Sequence, residues 1–244
     1  MWASECHMDD VAKALGQDPV EYRRQVVMPK GYVDGFSKNE NYYDTFRQVM
    51  DKGVEAIDYR RKREAYASQT GPVRRGVGMA LFWYNTAVWP ISLESSSCRM
   101  VLNQDGSVQV QTGETEIGQG CDTAYAQMAA DVIGIPFEDV HVVSTQDTDV
   151  TPFGTGAYAS RQTYVGGFAI EQTGSMLKKK ILDCASEITR QTPANLDVID
   201  GQIVRISDGR TLMSLGELAT EVLYSLEHSQ HLTAESTYQI KNNA

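Results

Sequence analysis

Glu114-Thr115-Glu116-Ile117-Gly118-Gln119-Gly120-Cys121-Asp122-Thr123 and, further along, Gly156-Ala157-Tyr158-Ala159-Ser160-Arg161-Gln162-Thr163 are the stretches on which the reading of this chain turns. Each joins a run of glycines or small residues to what reads as the first turn of a helix. Each is therefore expected to present free backbone N–H groups and a positive dipole end to an anion. Gly118 and Gly120 permit backbone angles and close approach that a side chain forbids, and Gln119 between them carries both an amide donor and a carbonyl acceptor. Thr123 and Ser160 add hydroxyls near the helix starts. A lone Gly-Gln-Gly is more often a turn that ends a strand. Two such cradles in one chain point instead to a large phosphorylated cofactor.

Outward from these stretches the pattern predicts an α+β chain of mixed sheets with packed helices. Strands are expected over Gly76 to Tyr84, Ile91 to Leu102 and Val108 to Gly113, the last two joined at Asp105-Gly106, a hairpin signal. A helix to Gly134 follows the Gly-Gln-Gly loop. A short strand, Val140 to Ser144, precedes the polar loop through Phe153-Gly154, and the longest helix runs from Ser160 to Thr189. Beyond it come a hairpin at Val198 to Val204, a helix from Ser214 to Tyr224 with Ser214 and Glu217 in capping-box spacing, and an edge strand from Leu232 to Ile240.

The first part of the chain reads as helical. Ser4 to Leu15 has apolar positions at helical spacing, with Ser4 as cap and Gly16 as stop; Asp18-Pro19 opens a second helix through Arg24. Asn41 to Tyr66 is expected to form one or two polar helices with Phe46, Val49, Met50, Val54 and Ile57 inward. The expected division is a helical arm at residues 1–70 and an α+β domain at residues 71–244.

Composition excludes several classes. With 244 residues, 41% of them hydrophobic and 22% charged, the chain can bury a substantial core. A formal charge of −10 argues against a nucleic-acid or anionic-membrane surface. Arg60 to Arg63, Arg74-Arg75 and Lys178 to Lys180 read as solvated faces. Cys6, Cys98, Cys121 and Cys184 lack Cys-x-x-Cys spacing and read as reduced thiols; His228 and His231 lack a third ligand, so no metal site is expected there. No apolar run approaches the roughly twenty residues needed to span a bilayer, and Glu5, Asp9 and Asp10 break up any leader, so a cytoplasmic protein is expected.

The run Glu116 to Thr123, the helix after it, Ile135-Pro136, Val140-His141-Val142 and Thr155 to Thr163 resemble the molybdenum-binding subunit of the xanthine dehydrogenase and aldehyde oxidase family. The likeness extends back to Asp105 to Val108, Arg75-Gly76 and Ala14 to Arg24. It implies a molybdopterin-binding domain of the molybdenum hydroxylase type. Gly118, Gln119 and Gly120, with Cys121 and Thr123 beside them, would contact the pterin and dithiolene side of a molybdopterin cofactor, as a cytosine dinucleotide. Ala159, Ser160, Arg161 and Gln162 would hold its phosphates. The resemblance further implies molybdenum at the cofactor, iron–sulfur and FAD groups in companion domains or subunits, an oligomer when intact, and hydroxylation of a purine, N-heterocycle or aldehyde carbon with oxygen from water.

Departures from the family's pattern shape the expectation. Its catalytic glutamate lies in a Gly-Glu motif near the end of a subunit several times longer than this chain, and nothing after Gln162 resembles it. Glycine-rich segments found earlier in the family are missing as well. The expectation is an internal or truncated piece of the large subunit, with no catalytic residue of its own and inactive alone. The rival reading is a cofactor-free binding or interaction module that keeps the fold. Phe82-Trp83-Tyr84 to Trp89-Pro90 reads either as part of a substrate channel or as core or a subunit contact.

Overall fold

The alternation at Val77, Met79 and Leu81, which as a sequence reads as a strand, is real but serves a different purpose. In the computed structural model, which describes residues 1–35, 38–84, 86–88, 94–143, 147–225 and 229–240, these three side chains are half-buried against a helical cluster. The stretch has no strand partner among the described residues, and the Leu81 N–H donates to the Glu5 carboxylate at 2.8 Å. A period of two therefore marks an extended chain lying on helices here, not a sheet.

Residues 1–84 form one compact unit and residues 85–244 a second. The first comprises α1 (Trp2–Ala14), α2 (Pro19–Val26), α3 (Thr45–Ala56) and α4 (Tyr59–Tyr66), packed around Val20, Met50, Val54 and Tyr59. Because Val77, Met79 and Leu81 pack on that cluster, the unit runs to Tyr84 and not to Thr70. Asp18 caps α2 by accepting the Val20 and Glu21 N–H groups, as Asp-Pro predicts. Ser4 is not a cap, since α1 already starts at Trp2; Val49 faces solvent, because Met50 and Val54 define the buried stripe of α3. Arg23, nearly inaccessible, is held by Glu5 and Asp9 at 3.0 and 2.7 Å.

The second unit contains β1 (Ser95–Leu102), β2 (Val108–Thr112), α5 (Cys121–Ile133), β3 (Val140–Val143), α6 (Gly167–Thr189), β4 (Leu196–Ile199), β5 (Gln202–Arg205), β6 (Arg210–Ser214), α7 (Leu215–Tyr224) and β7 (Thr233–Gln239). One sheet has the order β3-β2-β1-β7, with β2 and β3 parallel and the other pairs antiparallel; the other is β4-β5-β6. The α5 crossover is what allows the parallel pair. Alternating inward residues Cys98, Met100, Leu102, Val108 and Val110 meet Tyr125, Ala129, Ile133, Ile170, Leu177 and Ile181 of α5 and α6 in the main core.

The turn Asp200-Gly201 has φ of 47° and 71°, the left-handed pair that a two-residue hairpin requires. β6 continues that hairpin into a third strand, which the sequence reading did not anticipate. The Ser214–Glu217 capping box forms as expected at the start of α7. β7 lies at the sheet edge as predicted, and Ser144, Ile91 to Leu93, Trp89, Pro90 and His228 lie outside the described residues. The basic runs are largely paired: Arg60 with Glu21, Arg61 with Asp58, Lys178 with Asp197 and Lys179 with Asp183. Among the described residues no helix is long and apolar enough to cross a membrane.

Candidate functional site

At the end of β2 the chain passes through Gly113, whose backbone lies directly against that of Gly154; a Cβ on Gly154 would fall 2.5 Å from the Gly113 carbonyl carbon. This contact brings the two sequence-distant stretches side by side. Immediately beyond it the Thr115 carbonyl accepts hydrogen bonds from Gln119 Nε2 at 2.9 Å and from Gln162 Nε2 at 2.8 Å. Gln119 Nε2 also donates to Gln162 Oε1, and Gln119 Oε1 accepts the Ile117 N–H at 2.7 Å. The two glutamines thus join the loops through one carbonyl and each other.

The first loop differs from the free cradle that its sequence predicts. The Glu116 carboxylate accepts the N–H groups of Gly118 at 2.6 Å, Gly120 at 3.1 Å and Asp122 at 3.3 Å. A side chain of the loop itself therefore occupies the positive end of α5, and the amide of Gly120 foremost holds the Glu116 carboxyl below its usual range. Gly118 and Gly120 adopt φ of 96° and 82°, and the space where a Cβ would lie is open at both. Cys121 is buried in the first turn, its Sγ 3.7 Å from Asp122 Oδ1; burial, reinforced by the charges of Asp122 and Glu116, pushes the thiol up to about 12. Glu116, Cys121 and Asp122 have the proximity of a metal-binding group. With its carboxylate on three amides and its thiol kept protonated, the cluster reads as a helix cap. Thr123 is exposed on α5.

The second loop carries backbone strain. Ala159 and Ser160 take φ of 46° and 49°, consecutive left-handed residues with side chains, and a wide π turn from Gln162 to Gly166 follows before α6. Left-handed conformations of this kind cost on the order of 1–3 kcal/mol each and cluster at functional sites, as π turns do. Ser160→Pro would consequently disrupt the loop whatever it binds, because proline fixes φ near −65°.

Arg161 does not face outward as a phosphate ligand would. Its side chain is 0% exposed: Nε donates to Glu94 at 2.8 Å, Nη1 to both Glu114 oxygens at 2.7 and 2.8 Å and to the Gly156 carbonyl at 3.1 Å, and Nη2 to the Ser95 carbonyl at 2.6 Å. Burial alone would lower the guanidinium's pKa; the hydrogen bonds of Glu94 and Glu114 outweigh it and hold it above its ordinary value. Beside it the Tyr125 hydroxyl donates to the Gln162 carbonyl at 3.1 Å. Glu94, Glu114, Glu116 and Tyr125 were not among the expected site residues. A carboxylate ending an alternating strand and an arginine among small residues were the only signals in the sequence.

A cleft of about 590 Å³ opens at the junction, lined by Gly113 and Thr115 of the first loop, Gly154, Thr155 and Gly156 of the second, and Thr148, Thr151, Pro152 and Phe153 between them. Among the described residues no charged side chain lines it. Hydroxyls, carbonyls and amides there can complement a neutral polar heterocycle at its edge. His231 is engaged structurally, its Nε2 lying 3.0 Å from the Leu102 carbonyl oxygen.

Comparison with known proteins resolves the family. Residues 52–244 match the model of the molybdopterin cofactor-binding domain. The chain belongs to that family. A putative xanthine dehydrogenase molybdenum-binding subunit of Escherichia coli (strain K12) is 41% identical across 100% of the chain, which spans 32% of that relative's length. A probable hypoxanthine oxidase of the same organism is 30% identical over 70% of the chain and 17% of its own length. Among solved structures, quinoline 2-oxidoreductase from Pseudomonas putida 86 superimposes with a TM-score of 0.62 at 24% identity, covering 98% of the chain and 32% of its own, and shares the fold. The α+β architecture is thus that of a molybdopterin cofactor-binding domain, and the chain spans about a third of the length of the curated xanthine dehydrogenase subunits that it matches from end to end.

Proposed function

We propose that the junction of the two loops is where this domain holds molybdopterin. The observation that carries this is the Gln119–Thr115–Gln162 network, which places two polar, glycine-flanked loops together at the rim of an uncharged cleft. The residues present fit such a group: amide donors and acceptors suit a pterin's edge, while the open faces of Gly118 and Gly120 admit a planar ring. Gly118, Gln119, Gly120 and Thr123 would meet the pterin and dithiolene side. The Ala159–Ser160 backbone and Gln162 would meet the phosphates of a cytosine dinucleotide form. Cys121 and Arg161 serve by holding the loops.

When bound, the molybdenum cofactor supplies hydroxylation of a carbon with oxygen from water, the electrons leaving toward iron–sulfur and flavin groups in companion domains or subunits. This chain's contribution is to orient the cofactor and exclude competing positions. The similarity to a xanthine dehydrogenase subunit and a hypoxanthine oxidase favours a purine or related N-heterocycle as substrate of the intact cytoplasmic, oligomeric protein. In the intact large subunit, Gln119→Ala is expected to lower pterin content and turnover together, since a buried cofactor atom left unpaired costs about 1–3 kcal/mol. Normal molybdenum and pterin content in that variant would defeat the assignment.

A further inference from the structure

We propose that Arg161 is a positioning residue: a buried guanidinium that fixes the spacing of the two loops, rather than a ligand for the cofactor's phosphates. The inference rests on the loop junction as the cofactor site. Arg161 sits where five segments converge. Through Glu94 it reaches the start of β1, whose carboxylate in turn accepts the Val88 N–H at 2.8 Å, and whose carbonyl accepts the Ile240 N–H at 3.0 Å. Through Glu114 it anchors the first loop one residue before the Thr115 carbonyl that both glutamines use. Through the Gly156 carbonyl it anchors the second, and Gln162 is its own neighbour in sequence.

Two acidic side chains against one basic one make this a poor place to attract phosphate, and with no exposed surface the guanidinium cannot reach one without abandoning them. Its geometry is what matters. Lysine, with donors on a single nitrogen, cannot span both carboxylates and two carbonyls that face different edges of the guanidinium plane. Arg161→Lys should therefore behave as a loss and not as a conservative change. Glu114→Gln, which leaves the guanidinium in place, should reproduce the same local defect.

The test has two arms. In the 244-residue chain, hydrogen exchange in Arg161→Lys and Glu114→Gln is expected to quicken at least tenfold at the bonded amides of Ile117, Gly118, Gly120 and Arg161, with Met100 and Val110 in the strands unchanged. Unchanged loop exchange would overturn the proposal, and so would acceleration spread evenly over β1 and β2, which marks a general packing role. If Arg161→Lys fails to fold, Glu114→Gln decides alone. In the intact large subunit, both variants should lose pterin content several-fold. Retention in both is the result a phosphate-ligand arginine gives, because lysine still offers a positive charge and Glu114→Gln leaves the guanidinium's own charge in place. Gln119→Ala serves as the control: if it alone retains pterin, the cofactor assignment fails while the exchange result still judges the clamp.

Discussion

The two loops at the junction solve the same problem with opposite charges. The first gathers its amides around its own carboxylate, Glu116, on an open surface; the second is pulled down by a guanidinium, Arg161, with no access to water. The first is thus held by bonds that solvent can compete for and the second by bonds it cannot reach. A loop secured from within can carry strained residues such as Ala159 and Ser160, whereas the surface loop relies on glycine where its backbone turns left-handed.

The sharpest way to break this pairing is at the backbone contact between them. Gly154→Ala places a methyl 2.5 Å from the Gly113 carbonyl carbon and 2.6 Å from its oxygen, where neither partner is a flexible side chain. A loss of about 3 kcal/mol or more is expected in denaturant unfolding, at the upper end of overpacking costs. Little or no shift in the midpoint would mean that the loops are not tied there.

A gentler change separates the loops by pH. Because the folded-state carboxyl of Glu116 titrates below its unfolded value, its contribution is complete above the ordinary glutamate pKa and disappears as pH falls through the lowered folded pKa. Amide exchange at Gly118 and Gly120, referred to an unstructured control, should therefore lose protection in acid. Arg161's own amide, bonded to the Tyr158 carbonyl, should lose none over the same range. Glu116→Gln is expected to flatten the acid dependence of the first loop.

The smallest effect is expected at Ser160. Glycine there relieves left-handed strain of roughly 1 kcal/mol but adds a similar cost in unfolded-chain entropy, so Ser160→Gly should leave stability within about 0.5 kcal/mol. It should also preserve any ligand contact made by the backbone. A large loss of cofactor in that variant would transfer the role from the amide to the hydroxyl.

Most of the second unit's scaffold was legible because its signals are local: Asp105-Gly106, the Ser214–Glu217 box, alternation in β1 and β2, and the Gly-Gln-Gly turn before α5. The loops' internal bonding was not. Glu116 reads as just another acidic residue until the chain turns back on it, and Arg161 reads as a phosphate contact until Glu94 and Glu114 arrive from beside β1 and β2, far away in sequence. Val77, Met79 and Leu81 misled for a related reason, since periodicity reports which residues are covered and not by what.

β1 carries a consequence for how the protein is made. One of its partners, β2, follows after the five residues from Asn103 to Ser107, but the other, β7, is drawn from residues 233–239, with Ser95 opposite Gln239. During synthesis the edge of β1 must wait, unpaired, while more than half of the second unit is still being added. Pairings of such long separation form slowly, and an open strand edge invites other chains. The Ile240 N–H reaches the carbonyl of Glu94, whose carboxylate grips Arg161, so the floor of the junction closes only when that late segment docks. Assembly of the site is accordingly among the last events in the life of the nascent domain.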